Sequence, residues 1–249
     1  MRVILLCAGY GTSLYPLTEQ QPKSLIPLNG EALLTHFVRK LEPLPSLEQI
    51  VIVSNGRFYD HFCKWRETLK LHIPLVILND GTMDSDRRLG AIRDLSFALE
   101  KTGSNQDTLV LAGDNFFDAD LNSFVSFARG KNPAPSVGVY DVRDIVLARK
   151  YGLIKTDSSF KITAFFEKPK APRTTLASMG IYYFPSVSLS HIDRYLETNQ
   201  TSDAPGYYVA WLADQTEVFA FQFQGAWFDI GDMDSYREAD QYVHVHRQK

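Results

Sequence analysis

Along the first half of the chain, short apolar runs alternate regularly with amphipathic segments, and this rhythm restricts the fold more than any other feature. The runs fall at 2–7, 49–54 ("QIVIVS"), 74–78 ("PLVIL") and 107–113 ("DTLVLAG"). They are short and rich in Val, Ile and Leu, as strands buried on both faces must be. Helical patterns lie between them, near 31–42, 57–71 and 89–101; in the first, Leu34, Phe37, Val38 and Leu41 recur at helical spacing and form one apolar face. Parallel strands need a crossover connection, so this alternation predicts a mainly parallel sheet covered by helices. From about residue 136 the rhythm changes. "SVGVYDV", "YGLIKTD", "KITAFFE" and "LASMGIYYF" follow one another closely before a helix near 186–198, which predicts mixed or antiparallel strands added to the same sheet. No linker, repeat or low-complexity tract divides the chain. The expectation is a single α/β domain over 1–249 with a Rossmann-like mixed, mainly parallel sheet flanked by helices, and with 1–135 and 136–249 as its two halves.

A chain of 249 residues, 45% of them hydrophobic, can bury one large core without a disulfide or metal staple. Its 26 basic and 29 acidic residues leave a net charge of −3, which argues against an extended nucleic-acid surface but leaves room for local phosphate sites. Cys7 and Cys63 lack both metal-ligand and disulfide-framework spacing, so a reducing compartment is expected. The N-terminal apolar run is too short for a membrane span and enters a glycine turn rather than a cleavage site. A cytoplasmic protein with no membrane role is therefore expected. His244 and His246 fall in a terminal helix with a polar end, and "GYYVAWL" at 206–212 reads as packing rather than a base-stacking platform.

Ligands of open α/β sheets bind beyond the carboxyl ends of the strands, which directs attention to the loops after the first and fourth runs. The first loop is Ala8-Gly9-Tyr10-Gly11-Thr12-Ser13, where two absent side chains let backbone N–H groups approach an anion. A dinucleotide fingerprint would need glycine near Leu14 and an acidic residue where Ser54 and Asn55 stand. A Walker loop would need glycine directly before Lys23, which follows Pro22 instead. Taken singly, Asp114 and Asp229 are also good turn residues, Lys23 a solvated lysine, and Glu167-Lys168 a surface charge pair. Asp84, Asp86, Arg87 and Arg88 read best as a solvated loop.

The longer string "AGYGTSLYPLT", continued by "PKSLIPLNG" through residue 30, resembles the signature of the sugar-phosphate nucleotidylyltransferases: a glycine-rich loop, a proline-threonine turn, then Pro-Lys. "LAGDN" (111–115), "YGLIK" (151–155), "FFEKP" (165–169), "MGIYYF" (179–184) and "WFDIG" (227–231) come after it in the family's order. The resemblance spans residues 1 to about 240 and implies the nucleotide-diphospho-sugar transferase fold. It implies that an NTP and a sugar 1-phosphate react to give an NDP-sugar and pyrophosphate, a step in NDP-sugar biosynthesis. Such a reaction brings two anions together, so positioning and charge neutralisation dominate its catalysis.

By the same resemblance, Asp114 and Asp229 match the carboxylates that hold Mg2+, and Lys23 matches the catalytic lysine. Ala8, Gly9, Gly11, Thr12 and Gly90 match nucleotide-binding positions, with Ala91 the small residue beside Gly90. Tyr151, Gly152, Glu167, Lys168 and Gly180 match the substrate pocket. Ser13 departs from the pattern, which has arginine there against the departing pyrophosphate. A compensating cation, an engineered knock-down and a weakened nucleotide-binding homologue are three readings of that departure. The stretch "NDGTMDSDRRLGAI" departs too, and leaves the nucleobase open together with an alternative activity, cytidylyl transfer to phosphocholine or another phospho-alcohol. Only one helix comes after "WFDIG", so a catalytic core without a C-terminal β-helix is expected. The sequence leaves a homo-oligomer open.

Overall fold

In the computed structural model, which describes residues 1–198 and 203–246, the centre of the sheet is β1 (Arg2–Leu6). It pairs in parallel with β4 (Gln49–Ser54) on one side and β6 (Thr108–Ala112) on the other, and β5 (Leu75–Asn79) continues the parallel set beyond β4. Val3, Ile4 and Leu5 are completely buried, as a strand covered on both faces requires. Leu6 stands opposite Val53 and Ala112, so the loops leaving β1 and β6 begin side by side. The crossovers carry α1 (Leu33–Leu41), α2 (Tyr59–Glu67) and α3 (Ala91–Thr102). Leu34, Phe37 and Phe62 pack with Val3 and Leu5 on one face; Ile92, Leu95 and Leu99 pack with Ile4 and Val51 on the other. A two-residue hairpin, β2 (Pro27–Leu28) with β3 (Glu31–Ala32), leads into α1.

The second half contributes β7 (Asn115–Phe117), α4 (Leu121–Gly130), β8 (Ser136–Asp141), β9 (Gly152–Thr156), β10 (Ile162–Glu167) and β11 (Leu176–Phe184). After them come α5 (Ser190–Thr198), α6 (Pro205–Gln215), β12 (Phe219–Gln222), β13 (Trp227–Asp229) and α7 (Met233–His246). The mixed sheet expected from the sequence is present. β11 runs antiparallel to β6 through Ile181–Phe184 and antiparallel to β8 along its other edge. β9 and β10 form a hairpin that joins β11 at Ala177, and β12 pairs in parallel with β8.

The register of β11 shifts between Ser178 and Ile181, around Gly180 at φ 69°. A Cβ at Gly180 would stand 2.8 Å from that of Ala112, so only glycine lets the strand bend against the end of β6. There β11 leaves β6 for β9, and the sheet forks. β7 and β13 make a separate antiparallel ribbon with Asp229 opposite Asn115, which brings "WFDIG" beside "LAGDN".

α4 and α6 have no counterpart among the sequence expectations. α6 opens with Pro205 in its first turn, a favoured place for proline, but aromatic residues line it on several sides and blur its period. Tyr208, Val209 and Leu212 are buried, in line with the packing role expected of "GYYVAWL". The expected terminal helix is α7; residues 247–249 of that segment lie outside the described residues. Among the described residues, no helix is long and apolar enough to cross a membrane.

Asn55, fully buried after β4, holds the glycine loop to the sheet. Its Nδ2 donates to the Ala8 carbonyl at 2.9 Å, and its Oδ1 accepts from the Phe58 N–H at 2.9 Å. Asn55→Ala should cost about 2–4 kcal/mol, because it strands a buried carbonyl and a buried N–H. Urea denaturation of the two proteins measures the difference.

Candidate functional site

Two adjoining clefts open at the carboxyl ends of β1 and β6. The first, about 320 Å³, is lined by Ala8, Gly9, Lys23, Gly90, Asp94 and Asp114 among others. The second, about 210 Å³, lies in the fork of the sheet and is lined by Asp114, Tyr151, Gly152, Glu167, Lys168, Gly180 and Asp229 among others. Ala112, Asp114, Tyr182 and Pro205 belong to both, so the clefts meet where β6 ends. Eleven of the fourteen site residues expected from the sequence thus line this pair of clefts. Gly11, Thr12 and Ser13 line neither.

The loop after β1 is held from several directions. Tyr10 donates its hydroxyl to Thr82 Oγ1 at 2.9 Å, and Thr18 Oγ1 donates to the Gly11 carbonyl at 2.6 Å. Gly11 adopts φ 63°, and a Cβ there would sit 3.2 Å from the Cβ atoms of both Lys23 and Thr18. Its glycine therefore serves the approach of the loop to Lys23 rather than a cleft wall. Ser13 lies exposed in a short 3-10 turn, Thr12–Leu14.

Lys23 opens a second such turn, Lys23–Leu25, and its Nζ meets Asp114 Oδ2 at 2.9 Å. Asn115 Nδ2 donates to Asp114 Oδ1 at 3.1 Å, while Asn115 Oδ1 accepts from Trp227 Nε1 at 2.8 Å. Both oxygens of Asp114 are thereby oriented. Burial, reinforced by the charge of Asp114, pushes the Asp229 carboxyl up to about 6, against the opposing pull of Lys23 and Lys168. Glu167 is also raised, mainly by burial. Lys168 sits at φ 42°, with its N–H bonded to the Tyr151 carbonyl at 3.2 Å. A strained backbone at a cleft lysine is the kind of conformation that surrounding structure must hold in place.

The loop before α3 divides into two parts. Asp84 and Arg87 pair with each other as an N-cap and an i,i+3 ion pair at 2.5 Å on the surface, as a solvated loop should. Arg88 behaves differently. It lines the first cleft, and its guanidinium grips Asp203 with contacts of 2.9 and 2.5 Å across from the start of α6. Gly90, at φ 87°, turns the chain into α3.

Sequence reasoning passed over Asp94. It is only 6% exposed in the first turn of α3, among Ile92, Leu95 and Leu99. Burial first, then the charge and hydrogen bond of Asp80, push its carboxyl up to about 8. Asp80 is raised as well, by burial, and accepts from Thr82 N and Oγ1 at 2.7 and 2.8 Å. The available signal was an acid on the apolar face of "AIRDLSFAL". Asn115 and Trp227 fall within the family motifs, but their mutual hydrogen bond needs the β7–β13 ribbon.

A doubly wound α/β protein with paired clefts beyond the carboxyl ends of its parallel strands is the class defined by fold and site. The model of the nucleotidyl transferase family matches residues 2–245, and the chain belongs to that family. The bifunctional protein GlmU of Methanocaldococcus jannaschii is 27% identical over 244 residues, covering 98% of this chain and 54% of that protein. A glucose-1-phosphate adenylyltransferase of Clostridium botulinum is 27% identical over 261 residues, covering 95% of this chain and 64% of its own. The chain thus spans between about half and two thirds of the length of these relatives. Among solved structures, a UDP-glucose pyrophosphorylase complexed with UDP-glucose superposes with a TM-score of 0.82 at 20% identity, covering 98% of each chain.

Asp94 has a consequence for stability. Its carboxyl binds a proton more tightly when folded than when unfolded, so stability falls as pH rises from the ordinary aspartate range toward about 8. Asp94→Asn removes this dependence. The melting temperature of that variant should exceed the parent's by a margin that widens between pH 5 and pH 8, reaching roughly 5–10 °C. Thermal scans across that range measure it.

Proposed function

We propose that the chain transfers a nucleotidyl group from an NTP to a sugar 1-phosphate, releasing pyrophosphate and forming an NDP-sugar. The observation that carries this reading is the meeting of Lys23, Asp114 and Asp229 where the two clefts join. A reaction between two anions needs its charge-neutralising groups at the boundary between their sites. The NTP occupies the first cleft against Ala8, Gly9 and Gly90. The sugar phosphate occupies the second, with Lys168 at the phosphate and Glu167, Gly180, Tyr151 and Gly152 around the sugar. A phosphate oxygen of the sugar attacks the α-phosphorus in line, the bond to the β-phosphate breaks, and pyrophosphate leaves. Lys23 lowers the repulsion as charge moves to the leaving group; a lysine ammonium suits this as a point charge.

Asp114 and Asp229 are the residues that would hold Mg2+. The donor set fits, since both are hard oxygen ligands, and Asp229 is held where its own negative charge is disfavoured without a nearby cation. When bound, Mg2+ supplies charge neutralisation at the phosphates. With two carboxylates from the protein, phosphate oxygens and water would complete the shell.

The cations lining the first cleft are Lys23 and Arg88, whereas Ser13 contributes no charge. Ser13→Arg should raise kcat by roughly tenfold or more, by analogy with arginine stabilisation of phosphoryl transfer. The assay is pyrophosphate release with each of the four NTPs against a panel of sugar 1-phosphates and phospho-alcohols, with product mass identifying the acceptor. Asp114→Asn should lower Mg2+-dependent turnover by about 100-fold or more while leaving the unfolding midpoint little changed. A product without a sugar would overturn the sugar assignment, and full turnover by Asp114→Asn would overturn the metal assignment.

A further inference from the structure

Lys23 and Arg88 both line the first cleft, and they are held differently. Lys23 turns its Nζ to Asp114 at the junction of the clefts. Arg88, two residues before Gly90 and the start of α3, pairs instead with Asp203, just before α6. Arg88 and Asp203 line the first cleft and not the second, whereas Pro205, two residues after Asp203, lines both. The ion pair therefore stands on the side of the first cleft that leads to the junction.

This pairing uses only part of the guanidinium. Arg88 Nε donates to Asp203 Oδ1 and Oδ2 at 2.9 and 3.1 Å, and Nη2 donates to Oδ2 at 2.5 Å. Nη1 donates to the Ser85 carbonyl at 2.9 Å. An arginine side chain carries five N–H donors. One N–H on Nη1 and one on Nη2 are thus left without a protein acceptor among the described residues. The Asp203 and Ser85 contacts meanwhile fix the plane in which those two donors lie. The Arg88 side chain is 50% exposed and that of Asp203 52%, so a ligand reaches the open donors without displacing any part of the fold.

A planar cation with free donors on adjacent nitrogens suits two oxygens of one phosphate. A base edge can also present acceptors to such donors, and charge and position separate the two. A bond between ionised groups is roughly twice as strong as one between neutral groups. The pair also stands on the side along which the phosphates must lie if the α-phosphorus is to reach Lys23 and Asp114.

We propose that Arg88 binds the phosphate chain of the nucleotide, its open Nη1 and Nη2 N–H groups donating to phosphate oxygens while Asp203 and the Ser85 carbonyl hold the guanidinium. This rests on the first cleft being the NTP site. The cleft then grips the nucleotide phosphates from two walls, Lys23 reaching from the loop after β1 and Arg88 from the loop before α3.

The test measures binding to the full chain of the four NTPs, their nucleosides, inorganic tripolyphosphate and the panel of sugar 1-phosphates, for the parent, Arg88→Gln and Arg88→Lys. The parent should hold one NTP more tightly than its nucleoside. Arg88→Gln should weaken that NTP and tripolyphosphate by roughly 10- to 100-fold and leave the nucleoside and the sugar 1-phosphates unchanged. Arg88→Lys keeps the charge without the paired donors, and should stay about 3- to 10-fold weaker than the parent. Both variants should melt with the parent, because an exposed ion pair adds little to stability. Equal weakening of NTP and nucleoside would place Arg88 at the base, and weakening of the sugar 1-phosphates alone would place it at the other substrate. Either result, or an unchanged NTP affinity, overturns the proposal; full recovery by Arg88→Lys overturns the two-donor contact. Absence of any NTP binding by the parent is a different result, because it removes the NTP site itself and this inference with it.

Discussion

Parallel pairing of β1 with β6 makes one site out of two loops that are far apart in sequence. With Leu6 opposite Ala112, the glycine loop and the Asp114 turn leave the sheet as neighbours, and the 2.9 Å contact between Lys23 and Asp114 ties the two loops together. Several other arrangements depend on this. The β7–β13 ribbon can set Asp229 beside Asn115 only because β7 continues from the β6 turn. The bend of β11 at Gly180 has space to open the second cleft only because β6 ends at Ala112.

Charge is distributed unevenly over the paired clefts, although the chain as a whole is close to neutral. Lys23 lies at the junction, Lys168 in the second cleft, and Arg88 on the rim of the first in the grip of Asp203. Facing them, Asp229, Glu167 and Asp94 all have carboxyls raised above their ordinary range, each chiefly through burial. Removing acids from water in this way makes the anionic form of each expensive unless a cation or a donor arrives. A site built from such groups favours partners that supply both.

The motifs that revealed the family are those whose chemistry is local. Glycine turns, Asp114 at a strand exit and Glu167-Lys168 at the end of β10 carry their meaning in a few consecutive residues, and all but Gly11, Thr12 and Ser13 among the expected positions line the clefts. Those three do not: the loop folds back on Thr18 and Lys23, so Gly11 faces protein, while Thr12 and Ser13 are exposed in the 3-10 turn that follows. Arg88 is exposed, as expected of a solvated loop, and what the sequence did not show is its ion pair with Asp203, distant in sequence, at the rim of the first cleft.

The sequence by itself determined the strand and helix alternation of the first half, the mixed character of the second, and eleven of the residues that line the clefts, because hydrophobic period and short motifs act over a few residues. Tertiary structure alone decided which acids would be raised by burial and that Arg88 would pair with Asp203 at the rim of the first cleft. Asp94 is an ordinary aspartate in the sequence. Its carboxyl is raised only when α3 buries it and the chain after β5 brings Asp80 to it, since desolvation and charge proximity depend on distance through space rather than on position along the chain.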